Sequence, residues 1–123
     1  MLYRCRVAHA EICVLRVQTD VLDLRGSVIT DGNAASAYTA FHPAPRGLTA
    51  VDGDLVFAEF WTDPDPIRQY HKKRVKCAEV LVPERVEPGY IAGAYVSCAD
   101  TQRTLRTVEP RLGVIVDAHL FFI

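Results

Sequence analysis

The chain has 123 residues, the size of one ordinary domain, and its 50% apolar and 24% charged residues are those of a globular protein with a modest core. A formal net charge of −1 gives no global sign of a polyanionic partner, so any nucleic-acid contact must come from local charge. No apolar run approaches the ~18 residues of a membrane span, and the N-terminal "MLYRCRVAHAEICVL", interrupted by charges, does not read as a signal peptide.

Residues 2–7, "LYRCRV", alternate and predict a strand that starts almost at the first residue. "EICVLRVQ" (11–18) predicts a second strand, and Val28 to Thr30 a short buried one bounded by glycines. "DGNAASAYTAF" (31–41) predicts a short helix capped by Asp31 or Asn33, with Tyr38 and Phe41 at helical spacing. "HPAPRG" (42–47) is a loop, and residues 48–63 fit a helix better than a strand. Asp65 and Pro66 start a clearer helix in which Ile67, Tyr70, His71, Arg74 and Val75 share one face. Residues 77–82 are expected to form a strand stopped by Pro83, 87–91 a turn or one helical turn, and 92–98 a strand. A helix over 99–109 with Asp100 or Thr101 as cap, ended by Pro110, leads to a last strand over 113–123. This order mixes strands and helices without strict alternation, so the expected class is α+β in a single domain, 1–123. Cys5, Cys13, Cys77 and Cys98 form no C-x-x-C and no zinc-finger spacing with histidine; they read as buried thiols in a reducing cytoplasm, with no metal.

The chemistry candidates centre on "KKRVKCAEVLVP". In a strand Cys77, Glu79 and Leu81 share one face, and Ala78, Val80 and Val82 share the other, which reads as a core face. Glu79 is therefore either a solvated acid on an edge strand or a carboxylate at the wall of a cleft. Arg68, His71, Lys72, Lys73, Arg74 and Lys76 fall within nine residues with no acid among them. They form either a solvated helix face or a surface for nucleic-acid phosphates. Tyr38, Phe41 and Trp61 could stack on unpaired bases or fill the core. "TDGNAAS" lacks the spacings of a phosphate-binding glycine loop and fits a capped turn better. His9, His42 and His119 have no nucleophile partner at a recognisable spacing.

Four stretches carry a family resemblance: "LYR" at the start, "TDGNAASAYTAF" (30–41), "DPDPIRQYHKKRVKCAEVLVP", and "VEPGYIAGAYV" (86–96). Together they resemble the C-terminal part of DarT-type DNA ADP-ribosyltransferases, the K-x-A-E-V-L-V-P block most specifically. The resemblance implies an ADP-ribosyltransferase-like α+β domain with a split mixed sheet. It implies transfer of ADP-ribose from NAD to a base in single-stranded DNA, as the toxin of a toxin–antitoxin pair whose macrodomain antitoxin, DarG, removes the mark. It makes Glu79 the catalytic glutamate. It also makes the region from about Asp31 to Lys76 the DNA-gripping segment, with Arg68, His71, Lys72, Lys73, Arg74 and Lys76 as phosphate contacts.

The family's His-x-Thr NAD-binding motif and its base-activating arginine have no counterpart here, since His9-Ala10-Glu11 is not His-x-Thr. Met1-Leu2-Tyr3 resembles an internal point of the family, so the expectation is a chain truncated at its N-terminus or one whose start is misassigned, with no NAD-contacting residue identified. Truncation predicts an exposed apolar strand edge beside Glu79. The alternative function is a catalytically inactive remnant that binds single-stranded DNA or the antitoxin.

Overall fold

A computed structural model describes residues 2–123, with side chains from residue 5 onward. In chain order, a 3-10 run over Leu2–Glu11 leads into β1 (Val14–Val17) and a 3-10 turn at Thr19–Asp23. Strands β2 (Val28–Thr30) and β3 (Phe41–Pro43) follow, then a 3-10 turn at Arg46–Ala50, α1 (Gly53–Val56), α2 (Pro66–Val75) and β4 (Val80–Leu81). A 3-10 turn at Pro88–Tyr90 precedes β5 (Ile91–Val96), α3 (Ala99–Val108), β6 (Val114–Val116) and a final turn at His119–Phe121. The class is α+β, and the strands form two three-stranded sheets, β1-β5-β6 and β3-β2-β4. The chain divides into two compact units, one of Met1–Gln18 with Glu87–Ile123 and one of Thr19–Val86.

The first unit holds the mixed sheet. β1 pairs antiparallel with β5, Val14 opposite Tyr95, and β5 pairs parallel with β6, Ala94 opposite Val114. Ala94, Val96, Val114 and Phe121 are buried and supply its core. Gly93 lies so close to the Gly113 carbonyl that a Cβ would come within 2.6 Å of the oxygen, so glycine is required for this strand contact. The strand expected over 2–7 is instead part of the 3-10 run. A six-residue alternation does not by itself supply a partner, and the 3-10 turn satisfies the backbone groups locally. The last strand is also shorter than expected. β6 stops at Val116, and the Asp117 carboxylate accepts the Leu120 N–H to start the final turn. α3 begins after Cys98, not at Asp100 or Thr101; Thr101 donates its hydroxyl to the Ala10 carbonyl instead.

The second unit is built on β2, whose Ile29 and Thr30 are buried, flanked by β3 and β4, both antiparallel to it. Phe41–Pro43, read as the end of a helix and the start of a loop, is the edge strand β3, where a proline with no N–H is tolerated. The helix expected over 31–41 does not form. Asp31, Asn33 and Ser36 each accept a backbone N–H, from Ala40, Ala35 and Tyr38 respectively, and such local bonds compete with helical ones. Residues 48–63 contain the end of the 3-10 turn at Arg46–Ala50 and the single turn α1, capped by Asp52 through the Leu55 N–H, and no longer helix. Phe57 and Phe60 are left exposed, so the apolar content that suggested a long helix finds no face to bury.

α2 starts as its sequence dictates. Asp65 accepts the Ile67 N–H, and Pro66 sits where its missing donor costs nothing. Of the expected apolar face only Val75 is buried; Ile67 and Tyr70 are exposed. The N–H groups of Cys77 and Ala78 still bond back to Arg74 and Val75, which extends the helical turn and shortens β4 to two residues. β4 is an edge strand of its sheet, and Val80 and Leu81 are 43% and 37% exposed. The alternate face expected to be core is thus open at Val80. All four cysteines are free thiols, Cys13 exposed and the other three half-buried, not buried as expected.

Candidate active site

Glu79 sits where α2 has ended and β4 has yet to begin. Its main chain is held by β2: the Thr30 N–H donates to the Glu79 carbonyl at 2.9 Å, and the Glu79 N–H donates to the Thr30 hydroxyl at 2.9 Å. That hydroxyl, on a side chain 0% exposed, donates in turn to the Gly32 carbonyl at 2.7 Å. One buried threonine therefore fixes both the glutamate backbone and the entrance to the 31–40 loop. The carboxylate is exposed, and its Oε2 accepts the Ala34 N–H at 3.1 Å. Its Oε1 has no protein partner among the described residues, so it is open to a hydroxyl donor.

The loop is closed at its neck. The Asp31 N–H donates to the Ala40 carbonyl, and the Ala40 N–H donates back to Asp31 Oδ1 at 3.0 Å. Arg74 Nη1 reaches the same Oδ1 at 3.0 Å and Thr39 Oγ1 at 3.1 Å. His42 Nε2 lies 3.9 Å from Asp31 Oδ2, enclosed and without a hydrogen-bond partner among the described residues. Burial pushes the Asp31 carboxyl up, but the Ala40 N–H, the Arg74 guanidinium and His42 outweigh it and hold the group below the ordinary carboxylate value. Because the folded-state value lies below the unfolded one near 3.8, this network adds stability above that pH, lost as pH falls through the folded-state value. Thermal unfolding measured downward from pH 5 is expected to show a shallower acid loss in Asp31→Asn than in the wild type. Identical acid profiles would assign the loss elsewhere.

The six basic residues separate into two groups. Lys72 pairs with Asp63 at 2.8 Å, and this ammonium above all holds Asp63 below its ordinary value. Arg74 is engaged as above, and Lys76 donates to the carbonyls of Val56, the last residue of α1, and of Ala58 just after it. Arg68, His71 and Lys73 are exposed; Arg68 makes a loose i,i+3 pair with Asp65 at 3.6 Å, of the solvated kind that contributes little. Tyr38 and Tyr70 stand edge to face with centroids 6.5 Å apart, both exposed, beside a 3.4 Å contact of Ser36 Oγ with the Tyr70 hydroxyl. Phe41 is exposed as well, and Trp61 is half-buried. Thr30 and Thr39 were not singled out by the sequence; their polarity in a strand and a loop is too common a signal. No group of three or more His, Cys, Asp or Glu side chains suited to a metal ion occurs among the described residues, and no helix among them is long and apolar enough to cross a membrane.

Comparison with known proteins bears on this arrangement. A family model described as "ssDNA thymidine ADP-ribosyltransferase, DarT" matches residues 1–121. A DNA ADP-ribosyl transferase–DNA ADP-ribosyl glycohydrolase fusion protein of Thermosipho africanus (strain H17ap60334) is 30% identical over all of this chain and 32% of its own length. The structure of Thermosipho africanus DarTG in complex with ADP-ribose superimposes with a TM-score of 0.80 at 28% identity, over 100% of this chain and 33% of that one. Thermus sp. 2.9 DarT in complex with carba-NAD+ does so with a TM-score of 0.79 at 19% identity, over 95% and 65%. The same Thermus protein in complex with ADP-ribosylated ssDNA matches with a TM-score of 0.72 at 19% identity, over 86% and 52%. The chain thus spans about a third of the length of the curated relative it matches.

Proposed function

Because the chain belongs to the DarT family of ssDNA thymidine ADP-ribosyltransferases, we propose that it takes part in transferring ADP-ribose from NAD to a thymidine base of single-stranded DNA, with Glu79 as the catalytic carboxylate. The observation that carries this reading is the Glu79 side chain itself: exposed, tied at Oε2 to the Ala34 N–H, and open at Oε1. In the reaction the nicotinamide–ribose bond breaks and its electron pair leaves with nicotinamide. Positive charge develops on the sugar carbon, and an atom of the base bonds to that carbon and releases its proton. A carboxylate that accepts a ribose hydroxyl and faces this charge stabilises the transition state more than the ground state. No residue of this chain is assigned to the adenine or pyrophosphate of NAD.

For DNA, Arg68, His71 and Lys73 on α2 are the proposed phosphate contacts, while Lys72, Arg74 and Lys76 brace the elements around them. Tyr38 and Tyr70 offer ring faces and edges on which unpaired bases can stack. The relative's fused glycohydrolase supports a toxin–antitoxin setting, with a macrodomain antitoxin of the DarG kind reversing the mark; a cytoplasmic location is part of the same proposal.

Two experiments test the reading. Purified chain with NAD and mixed single-stranded oligonucleotides is expected to yield ADP-ribosylated thymidine by mass spectrometry, and none with Glu79→Ala. Product of equal yield from both would sink Glu79 as the catalyst. DNA binding without any product would favour the non-catalytic remnant. Separately, Arg68→Glu with Lys73→Glu is expected to weaken ssDNA binding in a titration against salt. Each lost contact should flatten the log K versus log salt slope by about 0.7. An unchanged slope would remove α2 from the DNA surface.

A further inference from the structure

Arg74 stands apart from the other bases of α2. Its side chain is 12% exposed, and both hydrogen bonds from Nη1 go to the two ends of one loop, Asp31 at the start and Thr39 near the finish. Its carbonyl accepts the Asn33 N–H at 2.9 Å. Gly32 is packed so tightly that a Cβ there would collide with Nη1 and lie 3.0 Å from Arg74 Cγ. The next residue after Asn33 is Ala34, whose N–H holds Glu79 Oε2. The loop itself is made largely of Gly, Ala, Ser and Thr, and its one large side chain, Tyr38, is exposed and makes an edge-to-face contact with Tyr70, so the loop has no buried apolar anchor. What keeps the Ala34 N–H in place is the ring of polar bonds around Arg74.

We propose that Arg74 is a positioning residue for the Glu79 carboxylate, acting through the 31–40 loop, and not a contact for DNA phosphate. The proposal rests on the reading of Glu79 as the catalytic carboxylate. Fixing Oε2 on a backbone N–H leaves Oε1 aimed outward for a ribose hydroxyl. Without the Arg74 guanidinium, Asp31 and Thr39 lose their shared donor, the neck keeps only its two Asp31–Ala40 bonds, and the loosened loop lets the carboxylate turn away. Misplacement of a catalytic group by about 1 Å from a remote change can lower rate by roughly 10²-fold.

The test combines an NMR readout with kinetics on the full chain. In the wild type the Ala34 amide proton is expected to be shifted downfield by its bond to the Glu79 carboxylate, and to lose that shift in Glu79→Ala. In Arg74→Gln that shift should fall at least by about half, and Arg74→Lys should restore part of it, since a lysine keeps the charge but not the planar fork. In the same variant kcat should fall roughly 10- to 100-fold, with KM for NAD and the salt slope of ssDNA binding unchanged. An intact Ala34 shift together with a flattened salt slope would overturn the proposal and make Arg74 a phosphate contact. If Arg74→Gln does not fold, Thr39→Val removes one of the two loop bonds and keeps the ion pair; a weakened Ala34 shift there supports the proposal, and an unaltered one overturns it. Absence of ADP-ribosyl transfer in the wild type would count against the function, while the amide readout would still decide the role of Arg74.

Discussion

Glu79→Gln is expected to lower kcat for ADP-ribosyl transfer on the order of 10²- to 10³-fold, about 3–4 kcal/mol of transition-state stabilisation, with little change in fold. The amide is nearly isosteric with the carboxylate. Its carbonyl can still accept the Ala34 N–H that Oε2 accepts now, so the loop contact survives. In the proposed mechanism, what disappears is the negative charge opposite the developing positive charge on the ribose, together with a strong acceptor for its hydroxyl. The side chain is exposed, so thermal stability should move by no more than about 0.5 kcal/mol. KM for NAD should change far less than kcat, because the lost interaction strengthens only as the glycosidic bond breaks. Single-turnover kinetics with a thymidine-containing oligonucleotide measures this directly. A kcat within threefold of the wild type would mean that the charge is supplied by another residue.

Local rules made parts of this fold readable. Asp65 followed by Pro66 marked the start of α2 because a cap acceptor and a residue without an N–H satisfy the same helix end. Val28 to Thr30 was readable as a strand because a β-branched run between turn residues has few other uses. The 31–40 loop was not readable. Asp31, Asn33 and Ser36 suit a helix start and a pinned turn equally well, and only the positions of their N–H partners decide. The basic run showed charge but not direction. Lys72, Arg74 and Lys76 turn toward Asp63, Asp31 and the carbonyls at the end of α1, and those acceptors lie far enough away in sequence that no spacing links them. Glu79 itself stayed ambiguous on pattern and became a candidate through family resemblance. The structure adds which of its oxygens is held and by what.

Thr30→Val is expected to destabilise the chain by about 1–3 kcal/mol, a fall of roughly 4–12 °C in Tm, and to reduce transfer activity beyond what the lost stability explains. Valine matches the shape and the β-propensity of threonine, so the strand and its packing persist. The hydroxyl is what is removed, and it serves two groups at once: it accepts from the Glu79 N–H and donates to the Gly32 carbonyl. Thr30 is fully buried, so the hydroxyl has no easy substitute in solvent. The Glu79 main chain would keep only the bond from the Thr30 N–H, and the first residues of the loop would lose their anchor to β2. Thr30→Ser separates the two effects. It keeps both hydroxyl bonds and deletes one buried methyl group, a loss of about 1 kcal/mol. Serine should therefore lose stability while retaining kcat, and valine should lose both. Equal kcat for the two variants at a temperature where both are folded would show that β2 holds Glu79 by its backbone ladder alone.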